Sequence, residues 1–263
     1  KKLERSAGGE LFRKGAGGLE LTEAGRILYR ACEAVFGELD RAEERMARER
    51  GLSLGSIRLG ATVEFGPTLL VKYLKGFLAA NPGVHVDLCF SHDLLRPLMT
   101  GELDMAIDCK LHRAEGLQCV PLFREEYAVI ASPRFVRRHR IKTPADLSAC
   151  EILSMDKGAK WWGNFLNALP AAGRPAFRSV TELNHIRAII NAALEDMGVG
   201  FVPRYCVLKE LKAGTLVDVF PRLKLLEDNF YVYQKDARAG LERHRRLLDY
   251  LKHINAAQLQ RAD

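Results

Sequence analysis

Between Thr22 and Arg50, Ala24, Leu28, Ala31, Val35, Leu39, Ala42 and Met46 recur at intervals of three and four. Such spacing draws one narrow apolar stripe along a helix of about seven or eight turns. No proline interrupts the run, and its only glycines are Gly25 and Gly37. Thr22 is placed to cap the helix, with Glu23 at its positive end. A single narrow stripe on a long polar helix needs a partner. The chain's own core and a second copy both fit, and the narrowness favours the second copy. GLSLGS (51–56) ends the helix and predicts a hinge. Ahead of the helix, Leu11-Phe12 and Leu19-Glu20-Leu21 flank GAGG and predict a short β-hairpin. KKLERSAGG reads as the last turns of a helix stopped by Gly8 and Gly9.

After Ser56 the periodicity switches between two and 3.6. IRLGAT and VHVDLCF alternate as strands, and GPTLLVKYLKGFLAANP between them reads as a helix with Pro67 in its first turn. HDLLRPLMTGELDMAIDC supplies a short helix and a buried strand, and EEYAVIAS a further strand. Strands at CEILSM, FRSVTEL and GVGFVP then alternate with helices at WWGNFLNAL and HIRAIINAALEDM. NFYVYQK is a last strand and HRRLLDYLKHINAAQ a last, amphipathic helix. This βαβ order predicts two α/β lobes with mostly parallel sheets and a ligand-sized cleft at the carboxyl ends of their strands. The first lobe is expected over about 57–131 and 231–263, the second over about 132–230.

Composition narrows the class. The 263 residues are 48% hydrophobic and 28% charged, an ordinary globular balance for one large or two modest domains. No stretch approaches the roughly 18 consecutive apolar residues of a membrane helix, and no signal-peptide core is present. Cys32, Cys89, Cys109, Cys119, Cys150 and Cys206 have no CxxC spacing, which suits reduced thiols and a cytoplasmic protein. The net charge of +7 permits an anionic partner. Residues 1–50 are nearly neutral, with 11 Lys/Arg against 10 Asp/Glu, while 122–145 hold six basic and two acidic residues. RFVRRHR reads there as a solvated basic loop.

Signatures of catalysis are thin. Ser154-Met155-Asp156-Lys157 matches S-x-x-K, without the S-D-N and K-T-G that accompany it in hydrolases. The histidines form no HExxH, no cysteine pair has zinc spacing, and GAGG lacks the GK[ST] of a phosphate loop. Cys109 and Cys119 read as structural thiols rather than a redox pair. No catalytic residue, metal or cofactor is expected.

LERSAGGELFRKGAGGLELTEAG resembles the end of the winged helix-turn-helix domain of bacterial LysR-type transcriptional regulators. In that family an L-F-x-[RK] element, a glycine-containing wing turn and L-T-x-A-G follow the recognition helix. Leu11, Phe12, Lys14, Gly18, Leu21, Thr22, Ala24 and Gly25 match without a gap. Lys14 stands where arginine is usual, keeping the charge and losing the bidentate fork. Downstream, GELDMAI (101–107), VPLFREEYAVIASP (120–133) and MGVGFVP (197–203) resemble further family motifs in family order. The first helices of the DNA-binding domain are expected to precede this sequence.

The resemblance implies a winged helix-turn-helix remnant over 1–21, a dimerising linker helix over 22–50, a hinge over 51–56 and an effector-binding domain over 57–263. That domain is akin to type 2 periplasmic binding proteins. Lys1, Lys2 and Arg5 in the recognition helix, and Arg13 and Lys14 in the wing, are expected to contact phosphates. The partners implied are double-stranded promoter DNA with a dyad-symmetric site, a small-molecule effector, further copies in a homodimer or homotetramer, and the transcription machinery, with no membrane. Effector contacts fall on Thr62, Val63 and Glu64, on Ser91 and His92, on Asp156 and Lys157, on Asn184 and His185, and on Phe201 and Val202. Hydroxyls and the backbone at 184–186 suit a carboxylate; Glu64 and Asp156 oppose one, leaving a zwitterionic or cationic effector open. For each of these residues, ordinary surface or capping chemistry is the competing reading. The competing class is an exported solute-binding protein, which would have no use for the hairpin and striped helix.

Overall fold

The computed structural model describes residues 1–15, 18–50, 55–225 and 228–254. A short helix, α1 (Lys2–Ala7), ends at Gly8, whose φ of 72° is the left-handed turn that glycine makes without a Cβ clash. The hairpin is β1 (Phe12–Gly15) paired antiparallel with β2 (Gly18–Leu21). The middle of GAGG, 16–17, lies outside the described residues. The long helix α2 (Glu23–Glu49) starts as its sequence predicts. Thr22 Oγ1 accepts a hydrogen bond from Gly25 N at 3.0 Å and donates to Glu10 O at 2.7 Å. Gly25 is required for close approach, because a Cβ there would stand 2.1 Å from Leu11 O. L-T-x-A-G is thus a mechanical joint between hairpin and helix.

Two faces of α2 have different fates. Glu33, Gly37, Arg41 and Glu44, one helical stripe, lie against the remainder of the chain. Lys235 Nζ donates to Glu33 Oε1 at 2.7 Å and Tyr29 Oη at 3.0 Å. Arg41 Nη1 reaches Ala237 O at 3.3 Å. Buried Glu44 accepts from Glu242 N at 2.7 Å and pairs with Arg243. The apolar stripe points away: Val35 (59%), Leu39 (54%) and Met46 (53%) remain more than half exposed. The chain's own core therefore does not cover it.

Of the expected hinge, 51–54 lie outside the described residues, and Gly55 and Ser56 already belong to β3 (Gly55–Ala61). A π-helical turn, Gly66–Leu70, leads into α3 (Val71–Ala80). Next come β4 (Val84–Phe90), α4 (Leu95–Thr100), β5 (Met105–Asp108) and β6 (Leu117–Glu125), followed by β7 (Tyr127–Ala131), α5 (Pro133–His139), β8 (Glu151–Ser154) and α6 (Gly163–Asn167). The chain continues through β9 (Ser179–Glu182), α7 (Ile186–Leu194), β10 (Val199–Pro203), α8 (Leu208–Ala213) and β11 (Val217–Asp218) to β12 (Asp228–Lys235) and α9 (Glu242–Lys252). RFVRRHR is not a loop: all but its last residue belongs to α5, which Arg140 closes in the left-handed conformation, and Ser132 Oγ caps the helix start by accepting from Phe135 N at 2.9 Å, with Phe135 buried and the arginines turned outward.

Two five-stranded sheets result, in the orders β4-β3-β5-β12-β6 and β11-β7-β10-β8-β9. The pairings leave four strands of each sheet running one way, with β12 reversed in the first and β7 in the second. The chain changes sheets between Glu125 and Tyr127 and returns between Asp218 and Asp228. Buried Ile57, Leu59, Leu74, Phe77 and Leu251 pack the first lobe, while Trp162, Phe165 and Phe201 pack the second. Phe65, Phe123, Phe230 and Tyr205 join the two, with ring centroids 4.9 Å apart for Phe65–Phe230 and 6.2 Å for Phe65–Tyr205. Among the described residues no helix is long and apolar enough to cross a membrane.

Candidate functional site

Strand β3 ends at Ala61, and the chain turns immediately: Thr62 O accepts from Gly66 N at 2.9 Å. That turn sets Val63 and Glu64 in the wall of a pocket of about 560 Å³, within the range of small-molecule sites. Its opposite wall comes from the second lobe, with His185, Arg187, Tyr205 and Lys209. His185 Nδ1 caps α7 by accepting from Arg187 N at 3.2 Å, while Arg187 is held by Glu210 at 2.8 Å and by Cys206 O at 3.1 Å.

Behind Tyr205 lies a buried polar joint on the strands that carry the chain between lobes. The Tyr127 hydroxyl is 2.6 Å from Glu125 Oε2 and 2.8 Å from Asp228 Oδ2, and Asn164 Nδ2 donates to Asp228 at 2.9 Å. Burial pushes the Glu125 carboxyl up to about 7, reinforced by the charges of Asp228 and Glu64 and opposed by hydrogen bonds from Tyr127 and Tyr205. Burial, with Glu125 nearby, likewise raises the Cys109 thiol to about 12, far from the activated range. Ser154 is fully buried and Lys157 Nζ donates to Val180 O at 2.8 Å, so the S-x-x-K pair is spent on structure.

Of the residues singled out in the sequence, Val63, Glu64 and His185 line the pocket. Thr62 is buried outside the lining, and Asn184 is exposed just before α7. Ser91 Oγ accepts from Asp93 N at 3.1 Å, and His92 is exposed beside it. Asp156 caps the following turn, accepting from Lys160 N at 2.9 Å and Trp161 N at 2.8 Å. Partial burial works against its charge, yet those N–H groups hold its carboxyl below the usual range. Phe201 and Val202 face the core; Phe201 stacks on Tyr127 at 4.8 Å, and its carbonyl accepts from Trp161 Nε1 at 2.6 Å. Glu125, Tyr127, Tyr205 and Asp228 escaped the sequence reading. Glu125 is the acid of the P-L-x-x-E motif, and that was the one local signal.

At the other end of the molecule Lys1, Lys2, Arg5, Arg13 and Lys14 are all exposed. Strand alternation puts Arg13 and Lys14 on opposite faces of the hairpin. Arg13 pairs at 3.3 Å with Glu20, its cross-strand neighbour.

A sequence profile described as the LysR substrate binding domain matches residues 50–255. The HTH-type transcriptional regulator PtxR of Pseudomonas aeruginosa is 23% identical over 253 residues, covering 96% of this chain and 81% of its own length. The glycine cleavage system transcriptional activator of Escherichia coli K12 is 26% identical over 247 residues, 92% of this chain and 78% of its own. Among solved structures, CrgA, a LysR-type transcriptional regulator from Neisseria meningitidis, superposes with a TM-score of 0.67 at 21% identity, covering 98% of this chain and 86% of that one.

Proposed function

This chain belongs to the LysR family of transcriptional regulators, and from that premise we propose how its parts divide the work. It is a DNA-binding regulator with an effector-binding domain, not an enzyme. Residues 1–21 form the end of the winged helix-turn-helix domain. Lys1, Lys2 and Arg5, with either Arg13 or Lys14 from the hairpin, contact DNA phosphates at a dyad-symmetric promoter. The apolar stripe of α2 pairs with a second copy, so the working species is a homodimer or homotetramer acting in the cytoplasm and addressing the transcription machinery. A small effector occupies the inter-lobe pocket and biases one quaternary arrangement over another; equal binding to both would shift nothing.

The observation that carries this reading is the division of α2 between two partners. Its polar face is fixed to the first lobe by Glu33, Arg41 and Glu44, and its apolar stripe is left facing outward. A reorientation of the first lobe within the oligomer is passed along α2 to the hairpin that touches DNA. Competition binding against promoter fragments tests it, with a sequence preference expected that a pocket ligand strengthens or weakens. Equal binding to all duplexes, unchanged by ligands that raise the melting temperature, would refute it.

A further inference from the structure

The walls of the pocket differ in sign. At its inner end Glu64 Oε1 is enclosed without a hydrogen-bond partner. A carboxylate oxygen in that condition is costly unless a donor arrives. Behind it, Glu125 and Asp228 share the single proton of the Tyr127 hydroxyl, which can serve only one of them. The two short contacts are both satisfied when Glu125 is protonated and donates to Tyr127, which donates to Asp228. Glu64 is then the acidic group of the pocket's inner end, with Asp228 in the joint behind it. Toward solvent the sign reverses: Glu210 is matched by its ion pair with Arg187, which leaves Lys209, Lys72 and the opening turn of α7 as the positive side of the lining.

We propose that this pocket takes a zwitterionic amino acid, its ammonium group on the Glu64 carboxylate and its carboxylate toward Lys209 and the start of α7. The proposal rests on reading the pocket as the effector site and assigns the effector's chemical class. An ammonium at Glu64 also favours ionisation of the nearby Glu125. The groups facing Glu125 are Glu64 after β3, Cys109 after β5, Tyr127 on β7, Tyr205 and Cys206 after β10, and Asp228 on β12. Acids, hydroxyls and thiols surround it, so the arriving cation moves the balance and the Glu125 proton leaves to buffer.

Thermal-shift and calorimetric titration of the whole chain test this with three matched panels: amino acids, the same carbon skeletons lacking the amine, and the same skeletons lacking the carboxylate. Amino acids are expected to raise the melting temperature and to bind at least tenfold more tightly than either counterpart. Glu64→Gln, the same shape without the charge, lowers that affinity tenfold or more, and Lys209→Gln, at an exposed position, lowers it several-fold. Binding near pH 7 releases a fraction of a proton, seen as heats that vary with the buffer's ionisation enthalpy, and Glu125→Gln abolishes that release. Carboxylic acids that bind as tightly as amino acids, with Glu64→Gln unchanged, overturn the class and leave the effector reading standing. No shift by any panel overturns both.

Discussion

Glu125 shows how one side chain ties acidity to the lobe joint. Its carboxyl sits at about 7 in the folded chain against an ordinary 4.5. A raised folded value means its contribution is fully present below about pH 4.5 and is lost as pH rises through about 7. Glu125→Gln cannot ionise, so the variant should gain on the parent by up to about 3 kcal/mol between roughly pH 5 and pH 8. Denaturant unfolding across that range checks it, and parallel curves would contradict it. His244 works with the opposite sign. Burial, together with Arg243 and Arg238, lowers it to about 3 from 6.5, so its contribution is present above 6.5 and lost as pH falls. Gly25→Ala makes a separate case at this scale. Its Cβ would meet the Leu11 carbonyl, so the hairpin should detach from α2, with faster amide exchange in β1 and β2 and an unchanged effector domain.

The element that couples the ends of the molecule is α2. Glu44 acts as a cap supplied from another helix: Leu241, at the N-cap of α9, offers no side-chain cap, and Glu44 accepts from the Glu242 N–H instead. It also pairs with largely buried Arg243. Glu44→Ala therefore removes a cap and a buried charge partner together, for an expected loss of about 2–4 kcal/mol, and Glu44→Gln loses less because it still accepts the N–H. Urea midpoints measure both, and equal losses would argue against the charge. The Arg13–Glu20 pair on the hairpin is exposed and contributes little to stability. Of Arg13→Ala and Lys14→Ala, one should instead show in DNA affinity, flattening the log–log salt slope by about one, and the other should leave it unchanged.

At the scale of the whole molecule, apolar surface remains to be covered. Besides the α2 stripe, Val71 and Leu78 on α3 and Leu88 and Phe90 on β4 stand more than a third exposed. Light scattering of the chain should give the mass of two or four copies. Leu39→Glu, in the middle of the stripe, should reduce it without lowering the melting temperature of the effector domain. A single-copy mass for the parent chain would count against pairing through α2.

Features set by neighbours in sequence were legible from the start. Thr22 three residues before Gly25, glycines closing α1, and the two- and 3.6-residue periods of β3, β4 and α7 all act within a few positions, where backbone geometry leaves few alternatives. RFVRRHR was misread although Ser132-Pro133 already marked a helix start, because seven residues with one buried side chain carry almost no period. Likewise the stripe on α2 announced that it needed a partner, but only the packing of Glu33, Gly37, Arg41 and Glu44 showed that the opposite face was the one used internally. The polar joint was out of reach for a simpler reason. Tyr127 and Asp228 are separated by 101 positions, and their contact exists only because the chain crosses between lobes twice and brings both crossings side by side. The sequence by itself determined the family and most of the helices and strands, because these are written in local periods. Tertiary structure decided which carboxylates share a proton and which stay charged, since burial and long-range neighbours, not residue type, set that balance.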